Sequence, residues 1–105
     1  MVIVETPIFT RQLKELLSDD EYRQLQAELA RQPDIGSVIR GSGGLRKVRW
    51  AAKGAGKRGG VRVIYYSAVA QDRLLMLFIY PKNVRDDLSQ DQLKVLRKIV
   101  EEEYP

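Results

Sequence analysis

The sequence predicts an α+β domain: an N-terminal helical hairpin packed on a small antiparallel sheet with a C-terminal helix, in the order β-α-α-β-β-β-α. Three observations predict it. Apolar residues recur at helical spacing through Phe9, Leu13, Leu16 and Leu17, through Tyr22, Leu25 and Leu29, and again through Leu93, Leu96, Ile99 and Val100. Between the second and third runs lie three strand-like segments separated by turn residues. Those strands follow one another through turns and loops with no helical run between them, which makes them hairpin partners and therefore antiparallel.

The elements follow in order. Met1 to Glu5 reads as a short strand. Thr6-Pro7 starts a helix, with Thr6 as the N-cap and Pro7 at a first position where a missing N–H costs nothing. Ser18-Asp19-Asp20-Glu21 is a Ser-x-x-Glu capping box opening the second helix, which Pro33 ends. Gly41-Ser42-Gly43-Gly44 is a turn. Leu45 to Trp50 then alternates, with Leu45, Lys47 and Arg49 on one face and Arg46, Val48 and Trp50 on the other. Lys53 to Gly60 is a basic glycine-rich loop. Val61 to Ser67 is the next strand, Arg62 lying opposite the Val61, Val63 and Tyr65 face. After a turn at Gln71-Asp72, Leu74 to Tyr80 is apolar on both faces, as a central strand is, and Pro81 stops it. Ser89-Gln90-Asp91-Gln92 caps the closing helix. At 105 residues, the chain 1–105 reads as one domain.

Composition removes whole classes of chemistry. There is no cysteine and no histidine, which excludes disulfides, thiolate and Ser-His-Asp catalysis and the commonest zinc sites. No apolar run approaches the roughly 18 residues of a membrane helix, and Met1-Val2-Ile3-Val4-Glu5 lacks the blocks of a secretory signal. A cytoplasmic protein with no membrane partner is expected.

The net charge is +4, unevenly spread. Between Ile35 and Gln71 no residue is acidic, while Arg40, Arg46, Lys47, Arg49, Lys53, Lys57, Arg58 and Arg62 are basic. Acids predominate on either side of this segment, so the chain carries the footprint of a polyanion-binding protein. A solvated basic face is the plainer reading of any one residue. Lys47, Arg62 and Lys82 together favour a site, because they lie on adjacent elements and need only a shared sheet face to form a pocket of cations without an acidic partner. Arg46, Lys53, Lys57 and Arg58 are expected to contact phosphates. Trp50 and Tyr65 read as core, while Tyr66, on the Arg62 face, is placed to stack on a base. The glycine-rich loop is no phosphate-binding P-loop: Arg58 follows Gly56-Lys57 where Ser or Thr is required. The acids gather in helix first turns and the Glu101-Glu102-Glu103 run, where helix dipoles account for those in the first turns.

Such a pocket is able to cleave RNA. Attack by the 2′-hydroxyl needs a base, cations for the phosphorane and an acid for the leaving oxygen, and a lysine crowded by cations can serve as base. DNA lacks that hydroxyl, so the chemistry selects RNA.

Gly43-Gly44-Leu45-Arg46-Lys47-Val48-Arg49-Trp50, Gly59-Gly60-Val61-Arg62-Val63-Ile64-Tyr65-Tyr66 and Tyr80-Pro81-Lys82-Asn83 resemble the RelE/ParE superfamily of type II toxins, nearest its HigB-like branch. The resemblance spans nearly the whole chain. It implies a ribosome-dependent mRNA endonuclease working without metal or cofactor. It also implies a cognate antitoxin with a DNA-binding domain that holds the toxin inactive, with ribosome and mRNA as targets. It assigns Lys47, Arg49, Arg62 and Lys82 to catalysis: Lys47 or Lys82 as base, Arg62 and Arg49 as phosphate stabilisers. RelE-type enzymes carry a tyrosine near their end. Here the last element is a helix and the late tyrosine is Tyr104, so Tyr66 and Tyr80 become the stacking candidates. A ParE-like gyrase inhibitor on the same scaffold, which would not need Lys47, Arg62 and Lys82 together, and a nucleic-acid-binding module without chemistry, whose binding would survive single substitution of Lys82, are the alternatives.

Overall fold

The computed structural model describes residues 1–51, 60–85 and 87–105. Its elements are β1 (Val2–Glu5), α1 (Pro7–Leu16), α2 (Asp19–Arg31), β2 (Ser37–Val38), β3 (Arg46–Trp50), β4 (Val61–Ala68), a 3-10 turn (Val69–Gln71), β5 (Arg73–Pro81) and α3 (Gln90–Glu103). The α+β class, the helical hairpin and the closing helix are as the sequence indicates. Two features of the sheet differ. It is mixed and five-stranded, in the order β1-β5-β4-β3-β2. The antiparallel rule holds for β2 through β5, but β1 pairs in parallel with β5, Ile3 opposite Leu74 and Glu5 opposite Met76. No hairpin ties β1 to a neighbour, so chain adjacency did not set its direction. The extra strand, β2, is two residues long and pairs Ser37 with Lys47. Alternation cannot register in so short a segment.

The helices start where their caps stand. Ser18 Oγ accepts from Glu21 N at 3.1 Å and Glu21 returns a bond to Ser18 N at 2.8 Å; Ser89 and Gln92 repeat the reciprocal pair. These bonds satisfy amide groups that the first helical turn leaves open.

Both faces of the sheet are covered. On one, Phe9, Leu17, Leu25 and Leu29 of the hairpin meet Val48, Val61, Val63, Tyr65, Leu74, Met76 and Ile79. On the other, Leu93, Leu96 and Val100 of α3 meet Leu45, Ile64, Leu75, Leu77 and Tyr80. β5 contributes to both clusters, which is why its sequence is apolar throughout. Each fully buried Leu or Ile contributes about 1.5–3 kcal/mol.

The β4–β5 pairing slips once. Ile64 faces Phe78 while the next residue, Tyr65, faces Met76, leaving Leu77 as an extra residue on β5. Thr6 meets this irregularity. Its hydroxyl donates to the Leu77 carbonyl at 2.9 Å and accepts from Phe9 N at 3.2 Å, and its amide donates to the Met76 carbonyl at 3.0 Å. One side chain therefore caps α1 and satisfies the bulge. Thr6→Val keeps the shape and loses both hydroxyl bonds. We expect it to cost about 2 kcal/mol in denaturant unfolding, against about 1 kcal/mol for loss of a single exposed cap in Ser18→Ala.

Candidate functional site

β3 and β4 bring the cations together by register. Arg49 lies directly opposite Arg62, and Arg62 opposite Tyr80 on β5. The three form a row across the sheet on the face that α3 covers further along. Directly opposed residues place their Cβ atoms roughly 5 Å apart. Lys47, two residues before Arg49, shares that face. Lys47, Arg49 and Tyr80 line a cleft of about 690 Å³ together with Arg40, Val38 and Ile39 on one side and Asp87, Leu88 and Leu93 on the other. Arg62 is itself 1% exposed. It is a buried charge in the middle of the row, where sequence reasoning expected a phosphate-contacting side chain.

The cleft is not purely cationic. Asp87, in the loop leading to α3, forms an ion pair with the Lys47 ammonium. That bond, and then the charges of Lys47, Arg49 and Arg62, hold its carboxyl below the usual carboxylate range. The expected pocket without an acidic partner is corrected here. Sequence reasoning missed Asp87 because it stands among Arg85, Asp86 and Asp87 just ahead of a capping box, where acids serve the helix dipole. A usable signal was its place seven residues after Tyr80, on the segment that leaves the sheet beside Arg62.

The remaining candidates divide. Lys82 is exposed, two residues beyond Tyr80, and its amide donates to the Gly60 carbonyl at 3.2 Å. It stands at the same end of the sheet as Arg49 and Arg62. Arg46 does not join them. On the opposite face, its guanidinium donates to the carbonyls of Gly36 at 2.7 Å and Asp34 at 3.3 Å, so it fastens the chain between α2 and β2. Tyr66 is four residues along β4 from Arg62, roughly 13 Å by strand rise, and its ring stacks on Tyr104 with centroids 6.2 Å apart. Tyr80 is 4% exposed and packs in the α3 cluster, which leaves its ring faces little room for a base. Lys53, Lys57 and Arg58 lie outside the described residues.

Trp50 and Tyr65 are core, as expected. Trp50 packs on the hairpin cluster, its indole N–H donating to the Glu21 carbonyl at 3.2 Å. The Tyr65 hydroxyl donates to the Pro33 carbonyl at 2.7 Å and accepts from Gly36 N at 2.9 Å, and burial raises its pKa. Gly60, which opens β4, has φ +73°, and a Cβ there would sit on the Trp50 carbonyl. Only glycine suits that approach.

The protein-family model described as the RelE toxin of the RelE/RelB toxin–antitoxin system matches residues 1–104. The chain belongs to the RelE toxin family. Among solved structures it is similar to E. coli toxin RelE, in a double arginine-to-alanine variant in the free state. The TM-score is 0.60 and the identity 12%, over 92% of this chain and 93% of that one. At that identity the likeness is one of fold, and the site has to be argued from this RelE-family chain's own residues. No helix among its described residues is long and apolar enough to cross a membrane.

Asp87 is 70% exposed at its side chain, so its pair with Lys47 is worth under about 1 kcal/mol. Because its folded pKa is depressed, that stability is present above the unfolded carboxylate pKa and is lost as pH falls through the folded value. Asp87→Asn should therefore melt slightly below the parent at neutral pH, with the gap closing under acid conditions in parallel thermal scans. Gly60→Ala is expected to cost more than about 1 kcal/mol in the same measurement, through forced backbone strain.

Proposed function

We propose that this RelE-family toxin is a ribosome-dependent mRNA endonuclease of the HigB-like branch, a single toxin domain acting in the cytoplasm and held in check by a cognate antitoxin that carries a DNA-binding domain. The observation that carries this reading is the convergence of Lys47 and Arg49 on one open cleft, with Arg62 buried opposite Arg49 and Lys82 exposed at the same end of the sheet. An RNA phosphodiester entering the cleft meets Arg40, Lys47 and Arg49 among apolar side chains, with Asp87 paired to Lys47. Arg49, exposed and always charged, suits the equatorial phosphoryl oxygens. Arg62 adds a fixed positive field in a place water hardly reaches. Lys47 lines the cleft and Lys82 stands exposed at the same end of the sheet, and proton transfer falls to one of these lysines. The groups that do this work belong to the chain itself, and no cofactor is invoked. The 2′-hydroxyl as nucleophile makes RNA the substrate.

The test is primer extension on an mRNA translated by purified ribosomes, comparing the parent with Lys47→Ala and Lys82→Ala. Discrete ribosome-dependent cuts are expected from the parent, weakened by about 10²-fold or more in Lys47→Ala. Lys82→Ala should lose cleavage while keeping most of its binding. Cuts of equal strength in both variants would leave the nuclease standing and remove these residues from it. Growth arrest by folded protein that makes no cuts would transfer the chain to the gyrase-inhibiting class.

A further inference from the structure

Cleavage through the 2′-hydroxyl needs a group with a free electron pair to accept its proton. The cleft offers few. Arg40 and Arg49 stay protonated at any working pH, and the Lys47 ammonium already donates its proton into the contact with Asp87. Asp87 supplies the only carboxylate among the described residues lining the cleft. We propose that Asp87 is the general base of the cleavage reaction and Lys47 its matching general acid, an assignment that rests on the nuclease reading above.

The step balances on these two side chains. An Asp87 carboxylate oxygen takes the 2′-hydroxyl proton as the 2′-oxygen bonds to phosphorus. Arg49 and Arg62 hold the charge of the pentacoordinate centre. The bond from phosphorus to the 5′-oxygen then breaks as Lys47 Nζ delivers a proton to that oxygen. The products are a 2′,3′-cyclic phosphate and a 5′-hydroxyl, with Asp87 protonated and Lys47 neutral. Because the two groups touch in the free protein, the proton passes back from Asp87 to Lys47 and restores the ion pair.

The electrostatic setting suits this division. Lys47 and Arg49 from β3 and Arg62 from β4 face the carboxylate, with Arg40 and Tyr80 on the cleft walls. These cations keep Asp87 ionised, and thus ready, at neutral pH. An incoming phosphate neutralises part of their field and so returns basicity to the carboxylate at the moment it is needed.

The experiment is single-turnover cleavage of ribosome-bound mRNA by the parent, Asp87→Asn and Asp87→Glu across about pH 6 to 8, with ribosome co-sedimentation as the binding readout. Asp87→Asn is expected to cut about 10²- to 10⁴-fold more slowly while binding ribosomes as the parent does, and Asp87→Glu to recover part of the loss. The parent rate should be nearly flat over this range, since the carboxylate is already ionised. A rate rising about tenfold per pH unit would identify a lysine base and overturn the proposal. So would Asp87→Asn that cuts as fast as the parent or faster, which would make the carboxylate a mere occupant of the phosphate position. A parent that never cuts would take down the nuclease reading and this assignment together, and is told apart from the other outcomes by the parent lane alone.

Discussion

The backbone pairing of β3 with β4 holds two arginines face to face, and much of the site depends on that constraint. Arg49 and Arg62 are opposed with like charges, an arrangement that costs energy in a free hairpin. It persists because neighbouring positions on both strands are apolar and buried: Val48, Val61, Val63 and Tyr65 belong to the cluster under the helical hairpin, and Ile64 to the one under α3. Hydrophobic burial on both sides of the sheet therefore holds a concentration of charge at one end of it. Asp87 responds to that charge, reaching back from the loop after β5 to sit on Lys47. The free protein thus relieves part of its own repulsion with a carboxylate drawn from a neighbouring loop.

Much of this was legible in the residues. Capping boxes at Ser18 and Ser89 and the Thr6-Pro7 start announce the helices because cap chemistry is local: the side chain and the amide it satisfies are three residues apart. The two faces within β3 and within β4 follow from strict alternation, so Lys47 and Arg49 could be put side by side, while the face they share with Arg62 is set by how the two strands pair. What escaped depends on distant partners. The direction of β1 is decided by β5, some seventy residues later, and nothing within Val2 to Glu5 encodes it. Asp87 gains its meaning from Lys47, forty residues away. Arg46, adjacent to Lys47 in sequence, faces the other way and serves the chain between α2 and β2.

Fold and chemistry are separable in this molecule. A chain 12% identical in sequence shares the architecture over 93% of its length, so the same fold is reached from a largely different set of side chains. The aromatic candidates show how a scaffold constrains its own options. Tyr66 is taken by Tyr104, and Tyr80 is embedded under α3. The open walls of the cleft are aliphatic instead, formed by Val38, Ile39 and Leu88, and a base entering there would meet branched side chains rather than a ring.

The extra residue at Leu77 sets the phase of everything after it. Before it, odd-numbered β5 residues such as Leu75 point toward α3; after it, even-numbered ones such as Tyr80 do. Without that single insertion Ile79 would floor the cleft and Tyr80 would turn toward the helical hairpin. The chain leaving the strand would also emerge half a pleat out of step, carrying the segment to Asp87 with it. A one-residue slip thus acts as a gear tooth, and the hydroxyl of Thr6 on the Leu77 carbonyl is the pin that keeps it engaged.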